Sequence, residues 1–404
     1  MSNDTQPEIR FPGFTEDWEQ RKLEDISDKV TEKNKNNEFT ETLTNSAEFG
    51  IINQREFFDK DISNEKNLNG YYIVREDDFV YNPRISNYAP VGPIKRNKLG
   101  RTGVMSPLYY VFRPHDIDKK FLEYFFGTTI WHKFMKLNGD SGARADRFAI
   151  KDSVFKTMPI PYPSIEEQKK VGKFFDDLND TIALHQRKLD LLKETKKGFL
   201  QKMFPKNGAK VPEIRFPGFT KDWEQRKLGD FVVDYVEKTS VQNQFPMLTS
   251  SQQKGIVLQE DYFANRQVTT ENNIGYFVLP RGYFTFRSRS DNDVFVFNRN
   301  DIIDRGIISY FYPVFTLKSA DSDFFLRRIN NGIQRQLSIQ AEGTGQHVLS
   351  LKKFKNIVAM FPSEEEQQKI GTFFKQLDDT ITLHQRKLDL LKETKKGFLQ
   401  KMFV

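Results

Sequence analysis

Two long segments of the chain, residues 164–204 and 363–403, carry apolar residues at steps that alternate between three and four positions. Such a stripe, kept over several heptads, predicts two long helices of the coiled-coil type. Each segment opens with a Ser-x-x-Glu capping box behind a proline, at Ser164 and Ser363. A stripe of this length needs an apolar partner, and the economical partner is the other helix, in a parallel or antiparallel coiled coil. The first stripe comprises Val171, Phe175, Leu178, Ile182, Leu189, Leu192, Phe199 and Met203, with His185 and Lys196 at the remaining positions.

The blocks that lie outside these helices, 24–162 and 229–361, consist of short β-branched and aromatic runs bounded by Asn, Gly and Pro. Such runs predict strands joined by turns. Short helices are predicted at Lys119–Lys136 and Asp323–Gln336. A faint common order of motifs survives between the two blocks, so we expect two domains of one fold and an α+β class.

The chain repeats its helices and not its blocks. Leu184–Phe204 returns at Leu383–Phe403 without a change, and Pro7–Leu23 returns as Pro212–Leu228 with one difference. Each copy of the Pro7–Leu23 repeat contains one tryptophan, Trp18 or Trp223, and both are predicted to be core anchors. A constant frame that carries two different inserts suits a protein that presents two different recognition surfaces.

Composition limits the class of protein. At 404 residues, with 37% hydrophobic and 14% aromatic residues, the chain has room for two or three folded domains. It contains no cysteine, which excludes disulfides and thiolate zinc sites and favours a reducing compartment. The N-terminus MSNDTQPEIR lacks the apolar core of a signal peptide, and no apolar run approaches the length of a membrane span. These features predict a cytoplasmic protein.

Positive charge is concentrated locally, although the formal net charge of +7 is modest. Residues 79–115 contain no acid but several Lys and Arg, and residues 272–290 are acid-free with three Arg. Both stretches are rich in Tyr and Phe. A local positive field of this kind attracts phosphate, whereas the alternative for any single stretch is an ordinary solvated surface.

The motifs that flank the blocks resemble those of the specificity subunit of type I restriction–modification systems, over nearly the whole chain. They are RFPGFTEDWEQRKL with its second copy, and the junctions PSIEEQKKVGKFF and PSEEEQQKIGTFF behind each variable block. The resemblance implies two strand-rich target recognition domains of similar fold, separated by two long helices that pair as an antiparallel coiled coil. Each domain would read one half of a bipartite, asymmetric site in double-stranded DNA. Two methyltransferase subunits and the restriction/translocase subunits would assemble on this chain.

With this resemblance the chain divides into six predicted parts. They are a repeated N-terminal segment (1–23), target recognition domain 1 (24–162), a central spacer helix (163–204), a linker with the second copy of the N-terminal segment (205–228), target recognition domain 2 (229–361) and a C-terminal spacer helix (362–404).

Candidate DNA-binding residues follow from the basic stretches and from polar loops near the end of each block. Arg and Lys would neutralise phosphates, while Arg, Asn, Gln and Tyr on loops would read base edges. The candidates in the first block are Asn82, Arg84, Tyr88, Lys95, Arg96, Lys98, Arg101, Arg144 and Arg147. Those in the second block are Arg281, Arg287, Arg289, Asn292, Gln346 and His347.

The chain carries no sequence motif for catalysis. It has no GxxxxGK[ST] phosphate loop, no Gly-rich turn for S-adenosylmethionine, no methyltransferase motif and no metal-ligand constellation. The sequence therefore predicts a non-catalytic subunit without a cofactor of its own, whose partner subunits would bind S-adenosylmethionine, ATP and Mg. A stand-alone DNA-binding regulator is the alternative, although regulators usually obtain two reading heads by dimerising. The basic stretches disfavour a purely structural coiled-coil adaptor, and the missing motifs disfavour a self-contained nuclease or methyltransferase.

Overall fold

A computed structural model describes residues 6–58, 65–140, 146–206, 209–263, 272–343 and 345–404. The chain folds into two compact units that do not follow the order of the sequence. The first unit comprises Met1–Gln186 together with Lys387–Val404, and the second comprises Arg187–Arg386.

The first half of the chain forms the following elements, the last of which continues into the second unit. They are β1 (Glu19–Lys22), β2 (Ser27–Lys29), β3 (Leu43–Ser46), β4 (Gly50–Asn53), α1 (Gln54–Phe58), β5 (Tyr72–Val74), β6 (Phe79–Tyr81), β7 (Ile94–Arg96), β8 (Gly103–Met105), β9 (Tyr110–Pro114), α2 (Lys119–Phe126), α3 (His132–Asn138), α4 (Asp152–Phe155), β10 (Pro159–Tyr162) and α5 (Ile165–Lys202).

The second half repeats this order with one added strand pair. Its elements are β11 (Glu224–Lys227), β12 (Val232–Tyr235), β13 (Leu248–Ser251), β14 (Gly255–Leu258), α6 (Gln259–Tyr262), β15 (Phe277–Pro280), β16 (Phe284–Phe286), β17 (Arg289–Ser290), β18 (Phe297–Arg299), β19 (Arg305–Ile308), β20 (Val314–Leu317), α7 (Ser322–Asn330), α8 (Gln334–Gln340), β21 (His347–Val348), α9 (Leu351–Lys355), β22 (Val358–Phe361) and α10 (Glu364–Lys401).

Both units are built around a four-stranded antiparallel sheet. The strand order is β2-β9-β6-β7 in the first unit and β12-β20-β16-β18 in the second. Two-stranded pairs accompany each sheet, and β1 with β10 corresponds to β11 with β22. The added pair of the second unit is β17 with β21. In the first unit a single antiparallel bridge between Arg84 and Arg147 occupies the corresponding place. The expectation of two similar α+β domains is therefore confirmed.

The long helices begin one residue behind the serine of each capping box. The Ser164 hydroxyl accepts a hydrogen bond from the Glu167 amide at 3.3 Å, and the Ser363 hydroxyl accepts one from the Glu366 amide at 3.4 Å. In a full capping box the glutamate side chain would also accept a hydrogen bond from the serine amide. Here the Glu167 carboxylate is bound by Arg10 instead, at 2.7 and 2.8 Å. The start of each helix thereby becomes the attachment point of the repeated N-terminal segment.

Within each unit the two long helices run antiparallel. In the first unit Phe174, near the start of α5, packs edge-on against Phe398, near the end of α10, with ring centroids 5.1 Å apart. In the second unit Phe199, near the end of α5, packs against Phe373, near the start of α10, also at 5.1 Å. This settles the choice that the stripe alone left open between parallel and antiparallel pairing.

Each core is completed by the far end of the opposite helix. In the first unit Phe403 packs against the buried Trp18 and stacks on Phe175, with centroids 6.4 and 6.1 Å apart. In the second unit Phe204 lies in the same way against Trp223 and Phe374, at 6.5 and 6.0 Å. Both tryptophans are buried, which confirms their prediction as core anchors.

The short helices differ from the sequence prediction. The segment expected to be one helix at Lys119–Lys136 is two, α2 and α3, and the segment at Asp323–Gln336 is α7 and α8. The second break coincides with Gly332, whose φ of +82° lies in the left-handed region that a helix interior cannot accommodate. Among the described residues, no helix is both long and apolar enough to cross a membrane.

Candidate nucleic-acid interface

The first unit contains an open groove between the β3–β4 hairpin and the loop that follows β6. It has a volume of about 560 Å³. We call it the first groove. Its lining is mostly polar and aromatic, with Glu48 as a carboxylate: Thr44, Asn45, Ser46, Ala47, Glu48, Gln54, Phe57, Tyr71, Asn82, Pro83, Arg84, Ile85, Ser86, Tyr88, Pro93, Ser106, Leu108, Tyr109 and Arg147.

Two asparagines hold the walls of the first groove together. The buried Asn45 amide donates to the carbonyls of Val80 at 2.7 Å and Pro93 at 3.2 Å. Asn82 donates to the Asn45 carbonyl at 2.8 Å, and its own oxygen accepts from the Arg84 amide at 3.0 Å. Both polar ends of the Asn82 side chain are therefore used inside the protein, which favours a positioning role over direct base contact.

The two arginines of the first groove share one backbone bridge. Arg84 and Arg147 are antiparallel partners, and the flanking bond from the Phe148 amide to the Pro83 carbonyl is 2.7 Å long. Within the part of the chain that the structure describes, no ion pair involves either guanidinium. Tyr88, on the same loop, is 79% exposed. The groove thus presents two arginines that are in no ion pair among the described residues, beside an exposed aromatic ring.

The second unit contains a corresponding second groove between the β13–β14 hairpin and the loop that follows β16. It has a volume of about 520 Å³. Its lining contains more amides than that of the first groove: Thr249, Ser250, Ser251, Gln252, Gln253, Tyr262, Phe263, Arg287, Arg289, Ser290, Asp291, Asn292, Val294, Val296, Asn298 and Tyr312.

Pairing of β17 with β21 brings Gln346 and His347 next to residues that line this groove. Ser290 is the register partner of His347, whose imidazole is hydrogen-bonded to Asp293. Gln346 donates to the Asp291 carboxylate at 2.9 Å. Arg289 lies over the ring of Phe311, with 4.4 Å from its guanidinium carbon to the centroid. Two distant parts of the sequence therefore meet at one edge.

Three other predicted residues of the first block, Arg96, Lys98 and Arg101, lie outside the groove lining and are bound by acids. Arg101 makes a two-bond ion pair with Glu41, both bonds at 2.7 Å, and hydrogen bonds from Arg101 are the main reason why the pKa of Glu41 lies below its ordinary value. Lys98 and Arg96 approach Glu123 at 2.5 and 3.1 Å.

Three further candidates, Arg281, Lys95 and Arg144, are not among the residues that line the grooves. Arg281 lies 3.0 Å from Asp304 and donates to two nearby carbonyls. Lys95 is partly buried on β7. Arg144 lies outside the described residues. None of these placements tests a contact with DNA, so all of the candidates stay predictions.

Sequence reasoning missed the hairpin that forms one wall of each groove. The signal was present in the chain: LTNSAEFGIINQ at Leu43–Gln54 reappears as LTSSQQKGIVLQ at Leu248–Gln259. Its polar positions face the grooves, as with Asn45 in the first and Ser250 in the second. The described residues contain no group of three or more His, Cys, Asp or Glu side chains that could hold a metal ion.

The two domains of this fold match a known family model, the type I restriction modification DNA specificity domain, at residues 15–194 and 220–393. The chain belongs to this family and carries its domain twice. It is a specificity subunit of a type I restriction–modification system, which confirms the prediction made from the repeated motifs.

Individual relatives are distant in sequence. The chain is 23% identical to the type I restriction enzyme MjaVIII specificity subunit of Methanocaldococcus jannaschii over 337 residues, which cover 74% of this chain and 73% of that protein. It is 22% identical to the putative MjaX specificity subunit of the same organism over 267 residues, which cover 62% and 60% of the respective chains.

Solved structures share the fold across nearly the whole length. The HsdS subunit from Thermoanaerobacter tengcongensis superposes with a TM-score of 0.51 at 15% identity and 98% coverage of both chains. The type I restriction–modification S subunit from M. genitalium gives 0.55 at 12% identity, with 99% coverage of both chains. At these identities the likeness establishes the fold alone.

Proposed function

We propose that each recognition domain reads one half of a bipartite, asymmetric site in double-stranded DNA, and that each does so through its groove. The observation that carries this proposal is that two grooves stand at corresponding places of two similar domains but are lined by different side chains. Identical grooves would read identical half-sites, whereas these grooves offer different donors and acceptors to base edges.

In each groove arginine is the proposed reader. A guanidinium can form two parallel hydrogen bonds with the O6 and N7 atoms of guanine, which is the commonest base-specific contact. Arg84 and Arg147 are available for this in the first groove, as are Arg287 and Arg289 in the second. The ion-paired cations elsewhere, such as Arg101, would at most contribute to the general field that attracts the DNA backbone.

The repeated frame is the proposed docking surface for two copies of a methyltransferase subunit. Each copy of the helix exposes a pair of leucines one heptad apart, Leu184 with Leu191 and Leu383 with Leu390, at 64%, 67%, 65% and 66% exposure. Large apolar side chains repeated on one helix face mark an interaction surface. Because the exposed pattern occurs twice, it suits a partner that binds twice.

The chemistry is assigned to partner subunits. S-adenosylmethionine would bind the methyltransferase, and ATP with Mg would bind the restriction/translocase subunits, while this chain supplies sequence recognition without catalysis. Its proposed location is the cytoplasm, where these partners meet DNA.

The test is methylation mapped at single-base resolution after co-expression of this chain with its methyltransferase subunit. The host must lack that modification. We expect methylation at one split motif with two unlike halves around a fixed gap, together with co-purification of the two proteins. Replacing residues 24–162 by the corresponding block of another specificity subunit should change one half, and replacing 229–361 should change only the other. Absence of new methylation from an assembled complex would contradict the proposal.

A further inference from the structure

The identical helix copies place one lysine in two different environments. Lys196 and its counterpart Lys395 occupy the same position in the repeated 21-residue sequence. In the second unit the Lys196 ammonium lies 2.5 Å from the carboxylate of Asp378. The position that corresponds to Asp378 in the first unit is Asn179, whose amide donates to the Tyr124 hydroxyl at 2.7 Å. The counter-ion of Lys196 is therefore replaced by a neutral side chain at Lys395.

Two other lysines lie near enough to Lys395 for their charges to act on it. Burial is the main reason why its pKa lies below the ordinary value, and the positive charges of Lys98 and Lys95 lower it further, against the opposing effect of Glu123. The pKa of Lys95 is also lowered, first by burial and then by Lys98. The contacts agree, because Lys98 meets Glu123 and the next residue, Tyr124, holds Asn179, the position opposite Lys395. We call Lys95, Lys98 and Lys395 the lysine cluster.

Among the described residues, Glu123 is the carboxylate that acts on this cluster, and it is already paired. Glu123 lies 2.5 Å from Lys98 and 3.1 Å from Arg96, which also approaches Asp77 at 3.7 Å. Within the described residues, no ion pair joins a carboxylate to Lys95 or Lys395. Partly buried cations without a counter-ion are destabilised, so an incoming anion would compensate charge that the protein leaves uncompensated.

We propose that the lysine cluster of Lys95, Lys98 and Lys395 binds a phosphate group, namely a phosphodiester of the DNA held by the first recognition domain. Lysine ammonium groups suit phosphate as compact point charges, and neutralisation of DNA phosphates by lysine is the general source of affinity for DNA. The Lys98 side chain is 59% exposed, so a macromolecular backbone can reach the cluster. This inference rests on the proposed function, because it assumes that the first domain binds DNA.

The helix repeat provides a matched control for the experiment. The complex with the methyltransferase subunit is titrated with DNA that carries the mapped motif, and the dissociation constant is measured over a range of salt concentrations. The slope of log affinity against log salt is negative, and Lys395→Met should reduce its magnitude by about 0.9, the value for one phosphate contact. Lys196→Met, in the same helix sequence, should leave the slope unchanged because Asp378 already compensates that charge. Lys395→Arg, which keeps the charge, should retain the wild-type slope.

Single methylphosphonate substitutions in the DNA would locate the contact. We expect one phosphate whose neutralisation weakens binding by the wild-type complex several-fold but has no further effect on Lys395→Met. Thermal melting of both methionine variants checks that they are folded. Should Lys395→Met fail to fold, Lys95→Met is expected to reduce the slope in the same way, because within the described residues no ion pair joins Lys95 to a carboxylate, whereas Lys98 is already paired with Glu123.

Several outcomes would overturn the inference. Equal slope changes for Lys395→Met and Lys196→Met would indicate that both lysines act only through the overall positive potential, without a specific phosphate site. No slope change for either variant would show that Lys395 makes no phosphate contact. Binding of inorganic phosphate that depends on Lys395, with an unchanged DNA slope, would identify a site for free phosphate instead. A wild-type complex that shows no preference for the mapped motif would overturn the proposed function itself, whereas the other results leave that function standing.

Discussion

The two units share their attachments to the frame and differ in their grooves. Arg10 binds the buried carboxylate of Glu167 at 2.7 Å, and Arg215 binds that of Glu366 at the same distance. Each carboxylate is 1% exposed. The grooves stand on turns whose backbone is fixed by a few Asn and Ser side chains. Groove side chains that project away from the hydrogen-bonded backbone can differ between the units without breaking it. A buried carboxylate keeps its arginine in both units, because losing that counter-ion would leave a buried charge unpaired.

The largest effect is expected from the removal of one arginine that attaches a repeated segment to its helix. Arg10→Ala leaves the buried Glu167 carboxylate without its counter-ion, so we expect the free energy of unfolding of the first unit to fall by about 3–5 kcal/mol. Arg215→Ala should do the same to the second unit. Hydrogen exchange that reports separately on each unit measures both effects. Protection lost equally from both units by either variant would contradict the prediction.

A second prediction separates the grooves by what they read. Arg84→Ala should relax base preference in one half of the methylated motif, and Arg287→Ala in the other, each by about 1–3 kcal/mol at one base pair. Methylation mapping measures the change. The matched controls are Arg101→Ala and Arg281→Ala, whose guanidinium groups are bound by acids outside the grooves. Relaxed preference in the controls alone would show that the grooves are not the reading surfaces.

The smallest expected effect concerns the two tryptophans. Trp18 donates to Glu167 at 3.2 Å, whereas the buried indole nitrogen of Trp223 has no hydrogen-bond partner within the described structure. Trp18→Phe should therefore cost about 1.5 kcal/mol more than Trp223→Phe, because only the first substitution removes a bond to a charged group. Denaturant unfolding of the two variants measures the difference, and equal losses would mean that the units are alike at this point.

The frame could be predicted from the sequence because its signals are local. A heptad stripe and a capping serine act over a few residues, and both long helices begin where those signals place them. The ion pairs of the two capping glutamates were harder to predict, because their partners Arg10 and Arg215 lie far away in the sequence.

The grooves were only partly predictable because charge is distributed in space and not along the chain. Residues 79–115 contain no acid, yet Arg101 meets Glu41 and Lys98 meets Glu123, which belong to segments before and after that stretch. Long-range pairing also assembles the second groove, where His347 joins Ser290 across β17 and β21. The pattern of charges along the sequence identifies basic residues. It does not show which of them gain an acidic partner when the chain folds.

The exchange of helix ends between the units has a consequence for the order in which the protein matures. Phe403 belongs to the core of the first unit, so that core lacks a component until residues 387–404 have been synthesised. The second unit needs only residues 187–386 and can close earlier, although it begins later. At roughly 5–20 residues per second, the N-terminal domain waits on the order of 10–40 s for its final helix while the ribosome traverses the second unit. During that interval the apolar surface around Trp18 stays open to chaperones until Phe403 arrives to cover it.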